Sequence, residues 1–414
     1  AKFSKLLDEL RIPQPPWAKF TSIEEAEEFS RKVGYPVLVR PSYVLSGAAM
    51  RVAWTPQQLR EYLIKAALVS PEHPVVISKF IEDAIEVEVD AVSDGETTII
   101  GAVIEHLERA GVHSGDATMV IPPQRLSPEI INTIKDYTKR IAKALRIKGP
   151  FNIQFLVKEN VVYVIECNLR ASRSMPFTSK VKAVNLMKLA SYALMGEEIP
   201  WKGSDEPPPI AVGVKVPQFS FMQLEGADPV LGVEMRSTGE VACLGENFVD
   251  ALYKALLAAG FRIPNNGGNV LITVGGRELK KRILPLAKYF KSLGFNIYAT
   301  EHTAEFLREE GFNDVKVLYK VREPSRKPNI MDAILNREVD LVINIPSSIT
   351  LDKYAEMLQD EYVIRRRAVE LGIPVVTTLE MAYALLKVVS WRMLGKPTVY
   401  SLNDYMEKAI VKVW

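Results

Sequence analysis

The sequence contains few of the residues on which several common kinds of site depend. Its 414 residues include only two cysteines and four histidines. Cys167 and Cys243 cannot form a disulfide framework or a cysteine zinc site, and we expect both thiols to be buried. This composition is typical of a reducing compartment, so we expect a cytoplasmic protein, with an organellar matrix as the alternative.

The sequence also lacks a strong charge of one sign and a long apolar run. Its 52 basic and 50 acidic residues give a net charge of +2, which predicts no general attraction to nucleic acid or to an acidic membrane. No apolar run approaches the roughly 20 residues that cross a bilayer. The first ten residues form one amphipathic face and resemble neither a signal nor a transit peptide. Because residue 1 is Ala, we expect that it is not a translation start.

Neither a P-loop nor a GxGxxG motif is present, so those two phosphate-binding mechanisms are not predicted. Instead, the predicted strand Val37–Arg40 leads into a small-residue loop at 41–50. The Arg40 side chain, the backbone amides of the loop and the Ser46 hydroxyl could together cover a phosphate. As a spacing signal alone, this pattern is weak.

The residues that could carry chemistry concentrate in a predicted hairpin around a turn at 159–161. Its strands alternate with period two, so each strand places its polar side chains on one face. A register that pairs Val157 with Tyr163 would place Gln154 opposite Glu166.

Such a register would produce a compact set of oxygen ligands followed by two cations. Gln154, Glu166 and Asn168 would share one face, and Arg170 with Arg173 would arrive directly after the strand ends. Hard oxygen ligands beside guanidinium groups suit a magnesium nucleotide and the charge that develops on a transferred phosphoryl group. A polar strand face in solvent is the alternative for Glu166 alone, but the five residues together favour a site.

Two other polar stretches could border this site. Glu86, Glu88 and Asp90 alternate with apolar residues and must share a strand face, which is either solvated or part of a nucleotide cleft. Of these alternatives, the residues alone favour solvent. The glycine-flanked loop 110–117 carries His113, for which a general base, a phosphate donor and a structural cap all remain open.

Helical spacing predicts several helices before a change of pattern at residues 265–268. These helices are Ile23–Val33, Pro56–Leu68, Pro128–Leu145 and Val181–Met195. Beyond the turn Asn265–Gly268, strands and helices alternate in the manner of a doubly wound parallel sheet. The predicted strands are Val270–Val274, Phe295–Ala299, Val315–Leu318, Leu341–Ile345 and Ile373–Thr377. We therefore expect one domain at 1–263 and a second at 264–414.

Ligands of such sheets bind beyond the carboxyl ends of the strands. In the second domain these ends carry hydroxyls, an amide and a cation but no acid–base pair. The residues are Thr273, Thr300, Thr303, Lys320, Asn344 and Thr377. They favour an anionic small-molecule site, with a solvated rim as the alternative.

Five motifs in this order resemble the C-terminal half of the carbamoyl-phosphate synthetase large chain. They are RPSYVLSGAAM at 40–50, AGVHSGDA at 110–117, NIQF at 152–155, VIECNLRASRSMPF at 164–177 and EMRSTGEV at 234–241. The resemblance runs essentially from end to end. It implies an α+β ATP-grasp domain followed by an α/β doubly wound, methylglyoxal-synthase-like regulatory domain.

The resemblance also implies an activity and a set of site residues. This half of the family phosphorylates carbamate with ATP and Mg²⁺ or Mn²⁺, and K⁺ is a further candidate cation. The metal ligands would be Gln154, Glu166 and Asn168, and the reacting groups would face Arg170 and Arg173. The nucleotide would contact Arg40, Lys79, Ile81, Glu86, Gly111, Val112, His113 and Ser114, besides Gln154 and Glu166. A regulatory effector would contact Thr273, Lys280, Thr300, Thr303, Lys320 and Asn344.

The family implies partners that this sequence does not contain. These are the half that makes carbamate from bicarbonate and ammonia, a small lobe before the ATP-grasp domain, and a glutaminase subunit or domain. We therefore expect a fragment or a split-enzyme subunit of pyrimidine or arginine biosynthesis. The effector could be uridylate, a purine nucleotide, ornithine or N-acetylglutamate. Another ATP-grasp carboxylate–amine ligase and a non-catalytic effector-binding fragment are the alternative functions.

Overall fold

The computed structural model describes residues 2–40, 50–69, 74–221, 224–346, 355–392 and 397–407. The predicted phosphate-covering loop, including Ser46, lies outside these residues. The helices are α1 (Lys2–Glu9), α2 (Ile23–Val33), α3 (Pro56–Val69), α4 (Pro128–Leu145), α5 (Met175–Lys182), α6 (Leu186–Met195), α7 (Phe248–Ala258), α8 (Arg277–Ser292), α9 (Glu301–Glu309), α10 (Ile330–Leu335), α11 (Ala355–Glu370), α12 (Leu379–Arg392) and α13 (Leu402–Glu407). The strands are β1 (Trp17–Phe20), β2 (Val37–Arg40), β3 (Arg51–Ala53), β4 (Val75–Lys79), β5 (Ile85–Asp94), β6 (Thr98–Arg109), β7 (Met119–Ile121), β8 (Lys148–Lys158), β9 (Val161–Asn168), β10 (Val212–Gln218), β11 (Gly239–Gly245), β12 (Asn269–Val274), β13 (Asn296–Ala299), β14 (Lys316–Val317), β15 (Leu341–Ile345) and β16 (Val375–Val376).

The first sheet is a small antiparallel lobe with strand order β1-β4-β2-β3. Helices α2 and α3 cover it and close an apolar core that contains Val37, Leu59 and Ile77. The Ser22 side chain caps α2 by accepting a hydrogen bond from the Glu25 amide, which fixes the start of the helix. The lobe therefore holds Arg40 at the end of β2.

The second sheet has seven antiparallel strands in the order β11-β10-β7-β6-β5-β8-β9. One face buries Val87 and Phe151 against Ile134 of α4. Because side chains alternate along a strand, the acidic residues of β5 lie on the other face, toward α5 and α6. This division gives the first domain one apolar face and one polar face.

Two predictions about local structure in this domain are wrong. Residues 181–195 form parts of two helices, because Ala183 adopts a left-handed conformation (φ 50°) and the Asn185 side chain caps the new helix α6. Cys167 and Cys243 are only partly buried. The short strands β1, β3 and β7 were not predicted, since three or four residues carry too little alternation to identify a strand.

The third sheet confirms the predicted doubly wound parallel domain. Its strand order is β14-β13-β12-β15-β16, and all of its paired strands run parallel. The chain reverses its direction of winding between β12 and β15, which lie side by side. Such a switch point opens a crevice at the carboxyl ends of the strands.

The second and third sheets are joined by a shared apolar interface. Leu252 and Leu256 of α7 belong to the same buried cluster as Leu385 and Val389 of α12. Burial of a leucine side chain contributes about 1.5–3 kcal/mol, so this contact stabilises the relative placement of the two sheets. We propose residues 263/264 as the domain boundary within this joined unit. Among the described helices, none is both long and apolar enough to span a bilayer.

Candidate active site and effector cavity

The polar face of the seven-stranded sheet carries two rows of side chains that cross three neighbouring strands. Glu88 of β5 pairs with Gln154 of β8, which in turn pairs with Glu166 of β9. The next row on the same face consists of Asp90, Asn152 and Asn168. Directly opposite side chains in antiparallel strands have Cβ atoms about 4.5–5.5 Å apart. The predicted opposition of Gln154 and Glu166 is therefore confirmed.

The predicted register is wrong nearer the turn of the hairpin. Val157 pairs with Val162, because a β-bulge follows the Gln154–Glu166 pair. Ile165 is the extra residue of the bulge. A bulge shifts the pairing by one residue only for the part of the strand beyond it. The proposed ligands therefore keep the predicted register, whereas the residues near the turn are paired one position away from it.

The acidic residues of β5 are buried, so the prediction that their face is solvated is wrong. Glu88 and Asp90 are 2% and 0% exposed. Ser174 donates hydrogen bonds to Glu88 (2.6 Å) and Asp90 (2.9 Å), and Ser172 and Thr178 donate to Asp90 at 2.5 and 2.8 Å. The loop after β9 therefore closes over β5, and burial raises the pKa of Asp90 to about 6.

Glu86 lies on the same face beside the nucleotide loop predicted from the sequence. Its carboxylate accepts a hydrogen bond from the Gly111 amide, and its Oε1 is 3.9 Å from Nδ1 of His106. Burial raises the pKa of Glu86 to about 7, and the neighbouring Glu88 and Glu166 charges act in the same direction. The structure thus brings Glu86, Gly111 and Glu166 together.

The three predicted metal ligands offer a donor set that fits a hard cation. The Asn168 amide donates to Glu166 Oε1 at 2.9 Å, which leaves the Asn168 carbonyl and the second Glu166 oxygen as available acceptors. Within the described ranges, no cluster of three or more His, Cys, Asp or Glu residues could hold a metal by itself. Two amides and one carboxylate suit Mg²⁺, which usually takes its remaining ligands from water and substrate phosphates.

The two predicted arginines occupy different environments. Arg173 Nη1 contacts Met235 Sδ at 3.1 Å and Ser237 Oγ at 3.3 Å, and Arg173 Nε lies 3.8 Å from Glu240. Arg170 is exposed and donates to the carbonyl of the next residue, Ala171, at 3.2 Å. Arg173 is therefore held in place by protein contacts, while Arg170 is open to solvent.

The nucleotide loop is fixed by its own histidine. His113 Nδ1 accepts a hydrogen bond from the Gly115 amide at 3.0 Å, so the neutral ring carries its hydrogen on Nε2. Burial lowers the pKa of His113, which favours this neutral form. The geometry supports the cap role that the sequence left open and leaves Nε2 as a possible donor to a phosphate.

The lobe residues predicted to hold the nucleotide lie on adjacent strands. Arg40 ends β2 and Lys79 ends β4, and because these strands are antiparallel the two residues lie at opposite ends of the paired region. The Lys79 ammonium donates to the Gly34 carbonyl (3.0 Å) and the Tyr35 carbonyl (2.9 Å), and burial lowers its pKa. Ile81 follows β4 directly.

Sequence reasoning missed a buried cation behind the nucleotide loop. Lys215 of β10 is 1% exposed, donates to the Ser114 carbonyl at 3.3 Å and lies 3.7 Å from Glu240. Burial lowers the pKa of Lys215, and the Glu88 and Glu240 charges oppose that effect. A single lysine within the apolar run VGVKV was the available signal, because an isolated buried lysine must find acidic partners.

A second candidate site lies at the carboxyl ends of the parallel strands. A cavity of about 460 Å³ is lined by Thr273, Lys280, Thr300, Thr303 and Lys320. Helices α8 and α9 begin at this cavity, so their amide ends face it and favour an anion. Of the predicted effector residues, these five line the cavity.

Asn344 and two acidic residues complete the surroundings of this cavity. Asn344 is fully buried and donates to Thr273 Oγ1 at 3.4 Å, so it lies behind the wall. Asp360 and Glu361 of α11 also line the cavity, and burial raises the pKa of Glu361. The strand-end pattern did not identify these two residues, because they belong to a helix and not to the end of a strand.

The comparisons with known families define a two-domain protein with an ATP-grasp fold and a methylglyoxal-synthase-like domain. Residues 1–201 match the family described as "Carbamoyl-phosphate synthase L chain, ATP binding domain", and residues 282–377 match the "MGS-like domain". The biotin carboxylase domain of Hydrogenobacter thermophilus 2-oxoglutarate carboxylase, solved with MgADP and bicarbonate, covers 61% of this chain and 64% of its own at 17% identity and a TM-score of 0.52. Campylobacter jejuni biotin carboxylase has the same coverage, with 16% identity and a TM-score of 0.51. The predicted fold class is confirmed.

Sequence relatives specify the family further. The Methanocaldococcus jannaschii carbamoyl phosphate synthase large chain, C-terminal section, is 46% identical over 97% of this chain and 65% of its own length. The Archaeoglobus fulgidus carbamoyl phosphate synthase large chain is 46% identical over 99% of this chain and 37% of its own. The Saccharomyces cerevisiae multifunctional protein URA2 is 46% identical over 94% and 18%. The chain belongs to the carbamoyl-phosphate synthase large-chain family, and it spans about a fifth to two thirds of the length of these relatives.

Proposed function

We propose that this chain phosphorylates carbamate with ATP to give carbamoyl phosphate. The observation that carries the proposal is the row formed by Glu88, Gln154 and Glu166, with Asn168 beside it and Arg173 held at its edge. This arrangement combines oxygen ligands for a cation with a fixed positive charge for a phosphoryl group. Family membership supports the same chemistry.

The metal ligands in this proposal are Gln154, Glu166 and Asn168. A bound Mg²⁺ would neutralise phosphate charge and orient the nucleotide; Mn²⁺ as a substitute and K⁺ as a further cation belong to the same proposal. The nucleotide would contact the backbone of the loop that contains Gly111, Val112 and Ser114. The remaining proposed nucleotide contacts are Arg40, Lys79, Ile81, Glu86 and His113.

The proposed reaction moves one phosphoryl group between two oxygens. A carbamate oxygen forms a bond to the γ-phosphorus while the bond from that phosphorus to the β–γ bridging oxygen breaks and ADP leaves. The attacking oxygen already carries negative charge, so no general base is required. Catalysis then depends on in-line placement and on neutralisation of the developing charge. Arg173 and, from the solvent side, Arg170 would supply that charge.

The reverse reaction tests this proposal directly. The chain should form ATP from ADP and carbamoyl phosphate in the presence of Mg²⁺, either alone or after addition of the missing segments of a large chain. Glutaminase and carbamate-forming segments are its proposed partners, and a cytoplasmic location is proposed with them. Absence of ATP formation in both preparations would overturn carbamate phosphorylation and favour another ATP-grasp carboxylate–amine ligase.

A regulatory role for the second domain is proposed from its cavity. Two helix amino termini and the cations Lys280 and Lys320 face a space that could hold an anionic effector. Calorimetry with uridine monophosphate, inosine monophosphate, ornithine and N-acetylglutamate would compare the candidate effectors, and Lys320→Ala should weaken binding of whichever anion binds. If MgATP gave no heat while an effector did, the chain would be an effector-binding fragment instead of an enzyme.

A further inference from the structure

One segment of the first domain contacts both candidate sites. Residues 224–238, which we call the bridging segment, connect the interface with α11 to the wall of the nucleotide loop. The structure describes all of its residues. One of its ends contacts side chains of α11, and the other contacts the loop that contains His113.

The second domain holds one end of the bridging segment through a buried arginine. Arg365 of α11 is 3% exposed, and its Nε and Nη2 donate to the two carboxylate oxygens of Asp228 at 2.7 and 2.5 Å. Its Nη1 donates to Asn344 at 2.6 Å, and Asn344 contacts Thr273 on the effector cavity wall. A bidentate arginine–carboxylate pair is geometrically specific, so Arg365 fixes both Asp228 and Asn344.

Two neighbouring side chains of α11 hold the same end through backbone carbonyls. Tyr362 donates to Gly226 at 3.0 Å, and Arg366 donates to Leu224 at 2.9 Å and Ala227 at 3.3 Å. The segment therefore has little freedom to move independently of α11.

The other end of the bridging segment fixes the nucleotide loop. The amides of Arg236 and Ser237 both donate to the Asp116 carboxylate at 2.8 Å. The Ser237 hydroxyl donates to the Gly115 carbonyl at 2.9 Å, and the His113 amide donates to the Gly232 carbonyl at 2.7 Å. Loop and segment therefore form one hydrogen-bonded unit.

The same end also supports Arg173, whose Nη1 contacts Met235 and Ser237. A shift of the bridging segment would therefore move this guanidinium and the His113 loop together. Since a misplacement of about 1 Å can reduce a rate 100-fold, small displacements matter here.

We propose that Arg365, in the second domain, is a positioning residue for phosphoryl transfer in the first. It acts through Asp228 and the bridging segment on Arg173 and on the His113 loop. Because Arg365 also binds Asn344 behind the effector cavity, the same contact gives that cavity a direct mechanical connection to the active site. The expected change in reaction rate rests on the proposed function, whereas the expected change in hydrogen exchange does not.

The test compares Asp228→Asn with a control substitution in α11, the helix that carries Arg365. Asp228→Asn keeps the side-chain volume but removes the charge that Arg365 binds. Arg367→Gln removes the ion pair between the exposed Arg367 and Glu370 on the same helix. Arg365→Lys is the second variant, because it keeps the charge but cannot reproduce the two-pronged contact.

Amide hydrogen exchange of the full chain gives the first readout. In Asp228→Asn and Arg365→Lys, exchange at His113, Arg236 and Ser237 should rise at least tenfold, while exchange in β8 and β9 and the melting temperature stay near wild type. Unchanged exchange at these three amides, an equal rise in the Arg367→Gln control, or a rise throughout the domain would overturn the proposal. If Asp228→Asn does not fold, the Arg365→Lys result decides.

Kinetics of ATP formation gives the second readout. The kcat should fall at least tenfold in both test variants, with a change in KM for MgADP of less than threefold, and the control should match wild type. A rise in KM for MgADP without a fall in kcat would contradict a role through Arg173. Inactivity of the wild-type chain both alone and with added large-chain segments would overturn the proposed function, whereas the hydrogen-exchange result would still decide whether Arg365 positions the loop.

Discussion

Replacement of Glu166 by Gln should separate catalysis from stability. Glu166 is partly buried and accepts one 2.9 Å hydrogen bond from Asn168, and glutamine keeps both the volume and an acceptor oxygen. The difference between a charge-assisted and a neutral hydrogen bond is about 1 kcal/mol, so the free energy of unfolding should fall by no more than about that amount. Loss of the carboxylate charge from the proposed metal site should instead cost at least about 100-fold in rate, or about 2.7 kcal/mol of transition-state stabilisation.

The assay pairs the rate of ATP formation with denaturant unfolding on the same preparations. Glu159→Gln is the matched control, because Glu159 lies exposed at the turn of the same hairpin, and it should change neither quantity. If the chain alone has too little turnover, metal-dependent binding of MgADP by calorimetry replaces the rate. Parallel losses of rate and stability in Glu166→Gln, or a rate within threefold of wild type, would refute the assignment.

Three other substitutions test separate parts of the site. Arg173→Ala should lower the rate of ATP formation at least about 100-fold while leaving MgADP affinity within threefold in calorimetry; a large loss of affinity would place this arginine elsewhere. Gly115→Ala would bring a Cβ within 2.6 Å of Met235 Sδ and should cost about 1–3 kcal/mol in denaturant unfolding, whereas Gly232→Ala, with no atom within 4 Å of its Cβ, should be nearly neutral. The pKa of Asp90 is raised from 3.8 to about 6, so its stabilising contribution is fully present below pH 3.8 and is lost as pH rises through 6. Relative to Asp90→Asn, wild-type stability should fall by roughly 2 kcal/mol from pH 4 to pH 7, and a flat difference would contradict the burial argument.

The sequence predicted the parts of the fold that depend on local periodicity. The alternation in the hairpin placed Gln154 opposite Glu166, and the alternation of strands and helices predicted the parallel sheet of the second domain. Helices α2 and α4 begin and end where helical spacing predicts, and in the structure a serine side chain caps each of them. In each case, residues that are close in the sequence determine the local structure.

Burial and long-range charge pairing could not be predicted in the same way. Glu88 and Asp90 looked like a solvated face because the hydroxyls that cover them come from the loop after β9, more than 80 residues later. Lys215 was overlooked because its acidic neighbours lie on other strands. The pairing of Arg365 with Asp228 joins residues 137 positions apart, and no local pattern identifies such a partner.

The candidate effector cavity and the candidate active site are connected by contacts of Arg365 that neither domain contains alone. Six residues were predicted to contact an effector. In the structure five of them line the cavity, and Asn344 lies behind its wall. That separation gives Asn344 a different expected role, because it contacts the wall and the interface arginine at once.

The bulge at Ile165 makes the tip of the hairpin replaceable without disturbing its base. Since the extra residue absorbs a one-residue offset between the turn and the ligand pair, the tip tolerates a change of length that a regular ladder would transmit to Glu166. A short peptide label or a fluorescent donor inserted at 159–161 would then project from the molecule near the candidate active site. The hairpin thereby provides an attachment point for a label that reports binding of the proposed partner segments.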